Sequence, residues 1–200
     1  MRFAGLIAGL GNPGKRYERT RHNIGFMVID FLIASASGSR WPSPATRQKK
    51  KEYSLWEWPV GGASWLVTKP FTFMNLSGRA VRHVSSMHGL RAENILVVHD
   101  ELDLPFGRMK LKHGGGLAGH NGLKSIASCL GSRDFRRLRI GIGRPPEGHE
   151  ITKYVLSSFS REDMLNLPVV LEEAAHVLVA FCTEGYERAL QRANSFKLSE

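Results

Sequence analysis

The 200-residue sequence predicts an α/β fold: a single three-layer domain whose central mixed β-sheet is flanked by helices on both faces. Three observations lead there. Residues 3–10 and 94–99 are continuous apolar runs, the pattern of strands buried on both faces. Apolar residues at helical spacing alternate with such runs along the chain. One hairpin and uneven spacings interrupt the alternation, so the sheet is expected to be mixed and not wholly parallel.

Each element has its own signal. The first apolar run ends in Gly11-Asn12-Pro13-Gly14, a strand entering a shaped loop. Ile24, Met27, Val28, Phe31 and Leu32 then mark one helical face, with Asn23 as its expected cap. Residues 35–52 are rich in Ser, Pro and basic side chains and show neither period, so a solvated basic loop is expected near 39–52. Two β-prone runs, 53–58 and 64–69, surround Val60-Gly61-Gly62 and predict an antiparallel hairpin. Leu76, Ala80, Val81, Val84 and Met87 form a second helical stripe. The run 94–99 delivers Asp100 at a strand's carboxyl end, where open α/β sheets place their chemistry. A short strand is expected over 108–112. Gly114-Gly115-Gly116 then turns into a helix marked by Leu123, Ile126, Ala127 and Leu130, and 138–142 reads as a strand. Ser160 and Asp163 form a capping-box pattern before a C-terminal helical segment from about 160, broken or kinked near Pro168 and ended by Gly185. The domain is expected to span 1–200, without internal repeats.

Composition narrows the function. An apolar content of 42% supports a continuous core, and the short opening before a Gly/Pro turn predicts neither a signal peptide nor a membrane span. Cys129 and Cys182 read as small buried thiols in a reducing cytoplasm, not as a disulfide framework. The formal charge of +10 points toward a polyanionic partner. Two basic clusters contribute to it: Arg40, Arg47, Lys49, Lys50 and Lys51, and then Arg133, Arg136, Arg137, Arg139 and Arg144.

Several constellations could carry chemistry. Residues 9–14, GLGNPG, match the dinucleotide pattern G-x-G-x-x-G, with Asp30 at a suggestive distance. In that motif a helix must begin within the glycines, yet residues 15–21 carry no helical stripe, so a nicotinamide enzyme is kept only as a remote alternative. His22 stands in the polar run Thr20-Arg21-His22-Asn23, where an imidazole can accept a proton near neutral pH. A carboxylate such as Asp100 could fix its tautomer. No G-x-S-x-G elbow offers a serine nucleophile, which leaves water. His99, His113 and His120 follow no recognised ligand spacing, and no metal site is expected. Asn12, Asn75 and Asn121 lie where strands or loops meet helix starts. Each is expected to cap or turn, and together they could bind an ester carbonyl, a peptide backbone or a ribose.

Five segments then act together: GLGNPGKRYERTRHNIGF at 9–26, KPFTFMNLSG at 69–78, VVHDELDLPFG at 97–107, GHNGLKSI at 119–126 and FRRLRIGIGRP at 135–145. In order and spacing the chain resembles the bacterial-type peptidyl-tRNA hydrolases over essentially its whole length. The resemblance implies a cofactor-free, cytoplasmic and monomeric esterase that cuts the ester between an N-blocked aminoacyl or peptidyl group and the 3′ end of tRNA, without membrane or obligate protein partner. It implies His22 as the general base, Asp100 as the residue that orients it, and Asn12 beside the scissile ester. Tyr17, Phe73, Asn75 and Asn121 fall on substrate-contacting positions, and Lys112 and Arg139 on a pair that grips the tRNA 5′-phosphate. Many relatives carry His and Gly where this chain has Leu117 and Ala118, which implies altered loop packing. The rival reading is a noncatalytic RNA-binding protein on the same scaffold, since some relatives serve in organellar intron splicing.

Overall fold

The computed structural model describes residues 2–35, 41–42 and 44–198. Its strands are β1 (Leu6–Gly9), β2 (Ala45–Lys49), β3 (Tyr53–Val60), β4 (Ala63–Pro70), β5 (Ile95–Glu101), β6 (Met109–His113) and β7 (Arg136–Gly141). They form one sheet in the order β2-β3-β4-β1-β5-β7-β6. The central strands β4, β1, β5 and β7 are parallel. β2, β3 and β6 join antiparallel, so the sheet is mixed as expected.

Alternation along β1 divides the core between the two faces of the sheet. Leu6 and Ala8 pack with Val81 and Val84 of α2 (Ser77–Met87) and with Leu123 and Ile126 of α3 (Asn121–Leu130). Ile7 packs with Ile24, Val28 and Leu32 of α1 (Ile24–Ala34) and with Val170, Ala174 and Leu178 of α5 (Arg161–Thr183). Helices therefore cover both faces, the three layers that the interleaved patterns predict.

α1 lies unusually close to the sheet because glycines meet there. A Cβ on Gly25 would sit 2.4 Å from the Val98 carbonyl oxygen and 2.5 Å from Leu10 N. One on Gly9 would sit 2.5 Å from the Gly25 carbonyl oxygen. This contact brings the residues just ahead of α1 over the carboxyl ends of β1 and β5.

Some expectations need correction. Within the expected 39–52 loop, Ala45–Lys49 is an edge strand paired with β3. It shows no apolar alternation because an edge strand is held by its ladder, while charged side chains discourage further pairing. Arg40 and the side chain of Arg47 lie outside the described residues. Asn23 makes no side-chain cap on α1. α5 runs through Pro168 without a break, after the Ser160–Asp163 capping box that the sequence indicates. Two helices lacked a distinct sequence signal: the short α4 (Ile151–Val155), and α6 (Tyr186–Ser195), which starts beyond Gly185. Cys129 and Cys182 are unpaired but only partly buried. α5 is long and apolar enough to cross a membrane by composition, yet Val170, Ala174, Ala175, Val177 and Leu178 are fully buried in the core.

Candidate active site

The carboxyl end of β5 supplies the centre. All seven residues of this strand are buried, so Asp100 lies beneath the surface with 4% of its area exposed. The tight seating of α1 holds the preceding 3-10 turn, Arg21–Asn23, above it. Nδ1 of His22 lies 2.9 Å from Oδ1 and 3.0 Å from Oδ2 of Asp100. On the other side, Nε2 of His120 lies 3.0 Å from the same Oδ1.

The tautomers follow from the partners. Nδ1 of His120 accepts from the backbone N–H groups of Gly122 (3.1 Å) and Leu123 (3.3 Å), capping α3, so Nε2 carries the proton and donates to Asp100. Burial by itself would raise the Asp100 carboxyl, but the positive fields and hydrogen bonds of His22 and His120 outweigh it and hold the group far below the usual carboxylate range. An ionised carboxylate only accepts, so His22 donates through Nδ1 and keeps an Nε2 lone pair. Its side chain retains 12% exposure and lines the cleft.

His22, Asp100 and His120 could also hold a metal ion, since their ligand atoms lie within 4.8 Å of one another. The fit is poor. His120 Nε2 could ligate only by surrendering its proton, while its other nitrogen is committed to two donors.

Asn12 is oriented with similar economy. Its backbone N–H donates to Asn23 Oδ1 at 2.8 Å, and Asn23 Nδ2 donates back to the Asn12 carbonyl at 2.9 Å. Its own Oδ1 accepts from Met74 N–H at 2.8 Å. With the oxygen engaged, the amide N–H₂ is the group left for the cleft.

These residues surround a cleft of about 490 Å³. Asn12, Tyr17, His22, Phe73, Asn75, Asp100 and Asn121 all line it, so seven residues singled out in the sequence converge. Phe73 is 52% exposed at the rim. Asn75 and Asn121 are exposed too, and neither caps a helix: His120 is the cap of α3, and the turn Met74–Leu76 has none. Lys112 and Arg139 stand apart on the β6–β7 edge. Arg139 is tied through Nε to Glu101 Oε2 at 2.8 Å, and Glu101 itself lines the cleft.

Sequence reasoning missed His120 and the α4 wall formed by Ile151, Val155 and Leu156. The histidine had one usable signal, its position directly before Asn121. A five-residue helix offers too few turns to show a period.

The family model described as peptidyl-tRNA hydrolase matches residues 6–200. A peptidyl-tRNA hydrolase of Nitratidesulfovibrio vulgaris (strain DP4) is 52% identical, over 98% of this chain and 100% of the relative. One of Lawsonia intracellularis is 47% identical, over 100% of this chain and 98% of the relative. The crystal structure of the Acinetobacter baumannii peptidyl-tRNA hydrolase superimposes with a TM-score of 0.86 at 31% identity, covering 98% of each chain.

Proposed function

The chain belongs to the peptidyl-tRNA hydrolase family and hydrolyses the ester bond of peptidyl-tRNA, and from that premise we propose that His22 is the general base of the reaction. The observation that carries this reading is the 2.9 Å contact between His22 Nδ1 and Asp100. It leaves the opposite nitrogen of the ring basic, in a cleft wide enough for an acylated ribose. His22 Nε2 takes a proton from water, and the resulting hydroxide attacks the ester carbonyl. Asp100 stabilises the imidazolium that forms. The proton then passes to the departing 3′-oxygen of the tRNA, so the products are a free peptide acid and a reusable tRNA.

The N–H₂ of Asn12 donates to the developing oxyanion and to the carbonyl oxygen of the acyl group that blocks the substrate's nitrogen. A free aminoacyl ester lacks that acceptor oxygen and presents a charged ammonium, a second donor facing the N–H₂ group, and is a poor substrate. Phe73, Tyr17 and the apolar wall of α4 offer contact area for the peptide or the terminal base, with Asn75 and Asn121 supplying amides. Lys112 and Arg139 hold the 5′-phosphate. Catalysis uses no metal, because the histidine protons of the triad point at the carboxylate. The enzyme works as a monomer in the cytoplasm.

The test is turnover of N-acetyl-aminoacyl-tRNA by the purified protein in EDTA, alongside His22→Ala. Full wild-type activity is expected, with kcat lowered about 10²- to 10⁴-fold in the variant. An unchanged kcat would remove His22 from the mechanism. Activity lost in EDTA and restored by zinc would overturn the metal-free reading.

A further inference from the structure

Asp30 stands at the distance from the first glycines where a dinucleotide site would keep its ribose-binding acid, yet the fold gives it another partner. It lies on α1, and its Oδ1 accepts from the Lys69 ammonium at 2.5 Å. Lys69 is the next-to-last residue of β4 and only 9% exposed, an uncommon place for a lysine. The Asp30 side chain keeps 61% exposure, so solvent screens the ion pair, and the pair alone does not account for the buried cation. Two aromatic rings complete its surroundings. Nζ lies 4.7 Å from the centroid of Phe26 and 5.9 Å from that of Phe71, within the range of cation–π attraction. The rings meet edge to face, with centroids 6.0 Å apart.

Each ring belongs to one of the two segments that orient Asn12. A Cβ on Gly11 would sit 2.5 Å from Cγ of Phe26, so that ring is the floor on which Gly11 and the start of the Asn12 loop rest. The Phe26 N–H also donates to the Leu10 carbonyl at 3.0 Å. Phe71 opens the segment that runs from β4 to Met74, whose N–H donates to Asn12 Oδ1. That hydrogen bond joins residues 62 positions apart, and the spacing of its two ends follows from how the Phe26 and Phe71 rings sit against each other. An apolar side chain at position 69 could fill the same volume. It would not draw both rings toward one point or tether them to Asp30.

We propose that Lys69 is a positioning residue for Asn12. Its ammonium, anchored by Asp30, fixes Phe26 against Phe71, and the ring pair sets the Asn12–Met74 hydrogen bond that turns the Asn12 N–H₂ toward the cleft. The proposal rests on the role of Asn12 in the functional reading above. A displacement of about 1 Å in that amide weakens contact with the transition state more than it weakens substrate binding. Lys69 therefore acts on kcat and on the preference for N-blocked esters without lining the cleft.

The experiment compares wild type, Lys69→Met, Lys69→Arg, Asp30→Asn, Asn12→Ala and Lys69→Met/Asn12→Ala. The Asn12 side-chain amide is followed by NMR in protein isotope-labelled at the asparagine nitrogens, its signals identified by their absence in Asn12→Ala. Steady-state kinetics are measured on N-acetyl-aminoacyl-tRNA and on the same aminoacyl-tRNA without the acetyl group. Lys69→Met is expected to move the Asn12 signals, to lower kcat by about 10- to 100-fold with little change in KM, and to narrow the preference for the blocked ester. Lys69→Arg keeps a cation over the rings and should restore most of the rate and preference. Asp30→Asn changes an exposed group, should move the same signals less, and carries the test if Lys69→Met does not fold. In the Asn12→Ala background, Lys69→Met should lower kcat no further, because both changes act through one amide. Losses that multiply in the double variant would overturn the proposal. So would Asn12 signals that stay in place in whichever of Lys69→Met and Asp30→Asn folds. Failure of Asn12→Ala to change rate or preference would instead count against the role of Asn12 in the reaction, while the NMR signals still decide whether Lys69 positions it.

Discussion

Nδ1 of His22 stands 2.9 Å from Oδ1 of Asp100, and that same oxygen receives the Nε2 proton of His120 from 3.0 Å. One buried carboxylate therefore orients two imidazoles, of which only His22 keeps a lone pair toward the cleft. Asp100→Asn replaces an acceptor-only group with an amide that can present N–H to either ring. The expected result is a loss of about 10²- to 10⁴-fold in kcat with a small change in KM, read from steady-state kinetics on N-acetyl-aminoacyl-tRNA. The depressed Asp100 carboxyl has a sign that can be checked. Its contribution to stability is complete above the unfolded value, about 3.9, and is lost only as pH falls through the lower folded one. Acid loss of activity above about pH 5 must therefore come from another group.

Asn23 serves the site without lining it. It is buried, and it satisfies both backbone groups of Asn12. Asn23→Ala leaves a buried donor and a buried acceptor unpaired and is expected to cost about 1–3 kcal/mol in urea unfolding. Asn12 should lose its fixed orientation as well, lowering kcat/KM on peptidyl-tRNA and narrowing the preference over free aminoacyl-tRNA. Unchanged selectivity in a destabilised variant would confine Asn23 to a structural role.

His99 sits beneath this constellation. Its Nδ1 donates to the Asp100 carbonyl at 2.7 Å, and its ring meets His120 edge-on with centroids 4.9 Å apart. Desolvation by burial pushes its proton affinity well below the ordinary histidine value. Between about pH 6.5 and that lowered folded value the unfolded chain holds the extra proton. Stability from His99 is thus full above about pH 6.5 and falls with acid, by up to about 1.4 kcal/mol per pH unit. His99→Asn keeps an N–H donor and removes the titration, so unfolding free energy should depend less steeply on pH between about 5 and 6.5. An identical slope in both proteins would assign the dependence elsewhere.

Ala118 lines the cleft with φ +46°, the single non-glycine residue at positive φ among those described. A Cβ costs roughly 1–2 kcal/mol in this region. Ala118→Gly should stabilise the chain by up to about 1 kcal/mol, since added freedom in the unfolded chain offsets part of the relief. Thermal unfolding would show the gain. A fall in Tm would mean that the Ala118 methyl group contributes packing that outweighs the strain.

Local patterns made much of the architecture legible. The apolar run of β5 announces a doubly buried strand, the stripe of α1 announces its face, and the hairpin of β3 and β4 announces itself by its glycines. Where the pattern is weak the reading failed, for reasons that can be named. β2 is an edge strand whose side chains answer to solvent, α4 is shorter than two turns, and Pro168 lies inside a helix that continues from Arg161 to Thr183.

The sequence by itself determined the residue types on offer: an imidazole in a polar turn, a carboxylate at a strand end, three asparagines near helix starts, and a surplus of cations. Only the tertiary structure decided their duties. It turned Asn12 from an expected cap into an aimed amide, enlisted His120 as the second partner of Asp100, and tied four arginines of a five-membered cluster to partners within the chain, Arg139 through Nε. The physical reason is that periodicity records burial, which is a property of one segment. A hydrogen bond or an ion pair is a property of two segments, and 78 residues separate His22 from Asp100.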